Sequence, residues 1–310
     1  MVKAAGGGER GRKFIPHKNC FLRGEKRIDT CHEGRFMRTQ LIVFTDLDGT
    51  LLDYYTYSFD ASGEGIELLR QHGVPLIFCT SKSYAEVIYF REKTGNTSPF
   101  IVENGGAIYI PREQAGQFQP FVPAGRLKQS GGYVSLELGA DYATLRRVFA
   151  KLKKAFGNSI TGFGDMSVEE VSRSLNLTPQ LAAMAKVRHH DEPFILKDPS
   201  LLEGIKQVSR QNGLQVYLGT RFYHLMGNTD KGAAVKVLVS LYKNVYGTIV
   251  SAAIGEGKND EPMFRQVDAP FLVQKPGGSF TDVTLDRITR IDAVGPYGFT
   301  LAVKALLSGA

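Results

Sequence analysis

Two aspartates one residue apart, Asp46 and Asp48, close an apolar run, Leu41-Ile42-Val43-Phe44, and are followed at once by Gly49 and Thr50. Such a run reads as a strand buried on both faces of a parallel sheet. Sheets of that kind bind ligands beyond the carboxyl ends of their strands. Like charges this close call for a cation, and all-oxygen ligation with a phosphate completing the shell is what Mg²⁺ prefers. One carboxylate could then attack phosphorus while its neighbour handles protons. A solvated acidic turn is the plainer reading of a bare D-x-D pattern, so the rest of the chain must decide.

Three further apolar runs end in polar groups suited to the same chemistry. Leu76-Ile77-Phe78-Cys79 stops at Thr80-Ser81-Lys82-Ser83. There Thr80 can donate a hydrogen bond to phosphate and Lys82 supplies a point charge. The same residues also suit the cap of the next helix, from Tyr84 to Lys93. Phe100-Ile101-Val102 runs into Glu103-Asn104-Gly105-Gly106, where the Asn-Gly pair signals a tight hairpin. The run at 248–254 ends in Gly255-Glu256-Gly257-Lys258-Asn259-Asp260, and Lys231 opens a helix in Asp230-Lys231-Gly232. Carboxylates from two separated strands with one lysine and one hydroxyl make a site for Mg²⁺ and a phosphoryl group, because phosphoryl transfer is catalysed mostly by placed charge.

The elements that position these groups alternate strand and helix before residue 115 and after 228. The stretch between carries Pro120, Pro123 and Gly131-Gly132, an amphipathic helix over 141–156, further helices, and a hairpin at 214–226. The expected architecture is α/β, a doubly wound, Rossmann-like parallel sheet core with an inserted α+β cap domain. Its parts are core at 37–114, cap at 115–228 and core again at 229–310. Residues 1–36 hold nine Lys or Arg against four acids, most of the net +7, with no apolar segment for export. They read as a disordered basic extension or a mis-assigned start, so the basic balance is not a nucleic-acid signal. No apolar run reaches the length of a membrane span, and three scattered cysteines suit a reducing, cytoplasmic setting.

The D-x-D-G-T segment, Thr80, the Lys of DKG and GEGKND resemble the haloacid-dehalogenase-like phosphatases that carry a large cap between their second and third motifs. AKVRHHDEPFIL at 185–196, GTRFYHLMGNTDKG at 219–232, TSKS at 80–83 and FLVQKPGGSF at 271–280 are similar to the mannosyl-3-phosphoglycerate phosphatase family within them. That resemblance implies Asp46 as nucleophile, Asp48 as acid and base, and Thr80 and Lys231 on the phosphoryl oxygens. Mg²⁺ would sit on Asp46, the Asp48 carbonyl, Glu256 and Asp260. Glu256 stands where the family usually has aspartate, so its extra methylene must be absorbed by a backbone shift or a bridging water, or Asp260 takes more of the load. The implied substrate is a small phosphorylated sugar-glycerate, with Lys82, Arg188 and Arg221 for its acid, Glu192 and His224 for sugar hydroxyls, and Asn104 and Gly105 facing the ligand. A glucosyl analogue, a sucrose-phosphate or general sugar phosphatase, and a sugar phosphomutase are the alternatives.

Overall fold

A computed structural model describes residues 39–219 and 221–309. The segment 1–36 and its expected character lie outside them. Gln40–Thr45 is an inner strand of a sheet that has nine strands among the described residues, and it pairs in parallel with Ile249–Gly255 on one side and Leu76–Cys79 on the other. Beyond the first lie Ala269–Gln274 and Thr289–Val294; beyond the second lies Phe100–Val102, still parallel. Thr45 is in register with Ile254 and with Phe78, so Asp46, Gly255 and Cys79 come abreast at one rim. Successive side chains of a strand face opposite sides. Val43 therefore packs with Leu69, Val87, Phe299 and Val303 on one face. Ile42 and Phe44 pack with Val235, Leu238 and Phe264 on the other. Helices cover both faces, as a doubly wound sheet requires.

The Glu103–Gly105 turn reverses the chain, and Ala107–Pro111 returns antiparallel to Phe100–Val102, the hairpin expected at Asn-Gly. The sheet then continues through Tyr133–Glu137 and Leu127–Ser130. This moves the domain boundary expected at 115. The prolines and glycines there bend a hairpin, and Val134 and Leu136 are buried with Ile108 and Ile110 in the core. The second unit begins after Leu138. It holds a four-stranded antiparallel sheet ordered Ile160–Gly162, Asp191–Leu196, Tyr223–Met226 and Gln215–Leu218. Its own core gathers Leu145, Phe149, Phe194, Ile205 and Leu225.

Both connections between the units lean on the turn at 103–106. Leu138 and Gly139 donate to the Gly106 carbonyl at 2.9 and 2.8 Å, and Thr229 Oγ1 donates to the Gly105 carbonyl at 3.1 Å. Gly105 has φ +91°, and a Cβ there would stand 2.0 Å from the Asp230 carbonyl oxygen. Gly105→Ala therefore meets both a backbone strain and a main-chain clash. We expect it to lower unfolding stability by about 3 kcal/mol or more. Denaturant unfolding checks this, and an unchanged midpoint would contradict it.

Candidate active site

Asp46 is 4% exposed just past the strand Gln40–Thr45, and its Oδ1 lies 2.8 Å from Lys231 Nζ. Lys231 is 1% exposed and stands 2.7 Å from Asp260 Oδ1. It opens the helix Lys231–Tyr246, whose N-cap is Asp230, accepting from Ala233 N–H. Asp260 Oδ2 accepts from the amides of Glu256 at 3.0 Å and Gly257 at 2.9 Å, which folds the 255–260 loop back on itself. Gly255 is needed for that fold, since a Cβ there would lie 2.5 Å from Asp260 Oδ2. The Glu256 side chain reaches across to Gly49, where a Cβ would meet its Cγ at 3.1 Å. Gly49, at φ +73°, thus turns the chain and leaves space for that carboxyl. Residues some 200 positions apart are thereby gathered around Asp46.

Electrostatics follow from this packing. Burial raises the Asp46 carboxyl to about 7; Lys231 opposes that rise, and the Asp260 and Asp48 charges add to it. Lys231 is pushed upward because the charges of Asp260 and Asp46 outweigh its burial. Lys82 Nζ lies 2.9 Å from Asp48 Oδ1, and its ammonium is likewise held well above the ordinary lysine range. Thr80 is fully buried beside them; its hydroxyl accepts from Lys82 N–H at 3.2 Å and keeps its own proton to donate.

A cavity of about 60 Å³ lies over these groups, lined by Asp46, Asp48 and Lys82 from the large sheet and by Arg188, Arg221 and His224 from the inserted unit. The two units touch around it. Arg188 Nη1 donates to the Ser81 carbonyl at 2.7 Å, Arg221 Nη2 to the Tyr54 carbonyl at 2.6 Å, and Ser83 Oγ to the Met184 carbonyl at 2.8 Å. Glu86, not among the residues expected at the site, lies 3.4 Å from Lys82 and 3.6 Å from Arg188. It is the third helical residue of a Ser83–Glu86 capping box, and that pattern, one turn after Lys82, was the available signal.

Two expectations differ from the structure. Glu192, assigned to sugar hydroxyls, is fully buried inside the inserted unit. Its carboxylate accepts from Tyr142 OH at 2.6 Å, Arg146 Nη1 at 2.6 Å and Gly164 N–H at 3.0 Å, so it ties that unit together. Arg146 is held there and by Asp165. Gly105 packs against the Asp230 carbonyl instead of facing a ligand. Asn104 points its amide at Asp191 and His224, 3.4 Å from each.

The oxygen-only donors around Asp46 suit Mg²⁺ by type. A divalent cation would oppose the burial and the Asp260 and Asp48 charges that raise Asp46. Among the described residues no three acidic or imidazole side chains already surround one point. Asp260 uses both oxygens on Lys231 and the loop amides. The fit is thus one of donor chemistry.

A family model described as haloacid dehalogenase-like hydrolase matches residues 43–121. The glucosyl-3-phosphoglycerate/mannosyl-3-phosphoglycerate phosphatase of Methanococcoides burtonii is 39% identical over 86% of this chain and 97% of its own. The mannosyl-3-phosphoglycerate phosphatase of Pyrococcus furiosus is 38% identical over 82% of this chain and 97% of its own. Among solved structures, a Thermoplasma acidophilum protein superposes with a TM-score of 0.61 at 17% identity, covering 87% of this chain and all of that one. A phosphatase-superfamily protein of Bacteroides thetaiotaomicron does so at 0.59 and 16%, covering 91% and 99%. The two structures share the fold, while the two sequence relatives are similar along almost their entire length. On that similarity the chain belongs to the haloacid dehalogenase-like hydrolases and, within them, to the mannosyl-3-phosphoglycerate phosphatase family.

Proposed function

We propose that this protein is a Mg²⁺-dependent phosphatase that converts mannosyl-3-phosphoglycerate, or its glucosyl counterpart, to the free glycosylglycerate and phosphate in the cytoplasm. The observation that carries this reading is the buried Asp46–Lys231–Asp260 chain, at 2.8 and 2.7 Å, beneath a unit that brings two arginines to the same cavity. Relatives of matching length bear the name of that activity.

In this mechanism an Asp46 carboxylate oxygen attacks phosphorus and the bond to the glycerate oxygen breaks. Asp48 gives its proton to the departing oxygen, then takes one from the water that cleaves the aspartyl phosphate. Lys231 and the Thr80 hydroxyl hold the non-bridging oxygens, where negative charge gathers. Asp46, the Asp48 main-chain carbonyl, Glu256 and Asp260 would hold Mg²⁺, which would supply positive charge to offset that of the phosphate. Lys82, Arg188 and Arg221 supply cations for the glycerate carboxylate. The Arg188, Arg221 and Ser83 contacts hold the inserted unit against the core beside this cavity, and opening them would widen the way in.

The test is phosphate release from mannosyl- and glucosyl-3-phosphoglycerate, sucrose 6-phosphate, hexose phosphates and 3-phosphoglycerate, with Mg²⁺ and with chelator. A strong preference for the glycosyl phosphoglycerates, lost with chelator, is the expected result. An even profile across sugar phosphates, or isomerised product with little free phosphate, would replace this reading with a general phosphatase or a mutase.

Metal binding also links to pH. The folded protein holds Asp46 near 7 against 3.8 ordinarily, so that group's stabilising contribution is full below 3.8 and is lost as pH rises through about 7. Mg²⁺ competes with the proton for these oxygens, so its stabilisation grows over the same window. Near 100-fold excess over Kd, Mg²⁺ should raise Tm by about 5 °C at about pH 8 and by less than half that at about pH 5.5. An equal rise at both pH values would remove Asp46 from the metal site.

A further inference from the structure

Behind His224, at the junction of the two units, three segments bring together a polar cluster whose hydrogen bonding is incomplete. Asp191 is fully buried at the start of the strand Asp191–Leu196. Its Oδ2 lies 2.7 Å from His224 Nδ1 and 3.4 Å from Asn104 Nδ2, with Arg188 Nη1 at 3.8 Å. A carboxylate only accepts, so His224 donates from Nδ1 and Asn104 donates from its amide, both to the same oxygen. Asn104 is 4% exposed, comes from the turn at the rim of the large sheet, and is anchored through its backbone N–H, which donates to the Thr80 carbonyl at 2.9 Å. Asp191 Oδ1 and Asn104 Oδ1 are both buried without a hydrogen-bond donor. Buried acceptors left in that state are costly and are rarely retained without a partner to meet them. Two acceptors beside an imidazole that lines the cavity call for a ligand presenting donors, and a hexose presents hydroxyls.

We propose that Asp191 and Asn104 are specificity-determining residues that accept hydrogen bonds from hydroxyl groups of the hexosyl part of the substrate, with His224 locked beside them. The assignment rests on the glycosyl-phosphoglycerate phosphatase reading given above. It places hydroxyl recognition one residue before Glu192, on the opposite side of the same strand. It also spans the junction, since Asn104 belongs to the core and Asp191 to the inserted unit. A bound sugar would thus reward closure, whereas a phosphate alone would not.

Asp191→Asn changes one acceptor for an amide of the same shape. Asn104→Gly removes the other while keeping a residue that tolerates φ +54°. Each variant is assayed on mannosyl-3-phosphoglycerate, on its monodeoxy-mannosyl analogues and on 3-phosphoglycerate, with Tm recorded alongside. We expect kcat/KM on the full substrate to fall about 10- to 100-fold, carried mainly by KM, and to fall at least about tenfold less on 3-phosphoglycerate. The loss should also vanish against the one deoxy analogue lacking the matching hydroxyl, because wild type and variant then lack the same bond. Equal losses on every substrate, or a loss that tracks Tm, would show that the cluster only braces the junction or holds a water, and would overturn the proposal. Wild-type indifference to the hexosyl group would instead overturn the functional reading beneath it.

Discussion

Asp46→Asn should remove turnover almost entirely while leaving a folded protein. The amide keeps the shape of the side chain but cannot act as the attacking oxygen, so kcat on mannosyl-3-phosphoglycerate should fall about 10⁴-fold or more. Stability moves little, for two opposing reasons. Lys231 loses one of its two carboxylate partners, while a carboxyl that burial has raised to about 7 is no longer forced to carry charge. Lys231 still has Asp260 at 2.7 Å, so the ammonium is not left alone. Steady-state kinetics and a thermal melt check both halves. A variant retaining more than a few per cent of wild-type kcat would take Asp46 out of the nucleophile's role.

Lys231→Met has a different signature, because it removes the charge that Asp46 and Asp260 share. Both carboxylates then sit in a dry site without a counter-ion. Removing one partner of a buried ion pair costs about 3 to 5 kcal/mol. That cost should shrink as pH falls and Asp46, raised to about 7 by burial, takes up a proton. With the phosphoryl oxygens also losing their ammonium, kcat should drop about 10³- to 10⁴-fold. Unfolding measured from about pH 5 to 8 should therefore show the variant closest to wild type at the acid end. A stability loss independent of pH would mean that Lys231 contributes packing instead of charge.

Much of the site was legible because its chemistry is written at strand ends. The apolar runs before Asp46, Thr80, Asn104 and Glu256 marked buried strands, and the parallel register then brings Asp46, Gly255 and Cys79 abreast. What was not legible depended on tertiary choice. The hairpin at 127–137 is polar and glycine-rich, yet it extends the large sheet because Val134 and Leu136 find a buried face beside Ile108. Asp191 and Glu192 are neighbours on a strand, and residues in that relation face opposite sides. Which of the two meets the core and which the interior of the inserted unit depends on the partner strand, and no local pattern reveals it. Glu86 was visible as a helix cap but not as the carboxylate between Lys82 and Arg188, since Arg188 arrives from more than 100 residues away. Asp260 shows the same limit. Its type fitted a metal ligand, whereas the fold commits its oxygens to Lys231 and to the amides of Glu256 and Gly257.

The central claim is that Asp46 itself becomes phosphorylated. Mixing enzyme, Mg²⁺ and mannosyl-3-phosphoglycerate, quenching in acid within the first turnover and mapping peptides by mass spectrometry measures this directly. The account requires a phosphoryl group on the peptide carrying Asp46, appearing before free phosphate and absent from Asp46→Asn. Phosphate released within that turnover with no phosphorylated peptide, or with the label on another residue, would contradict it.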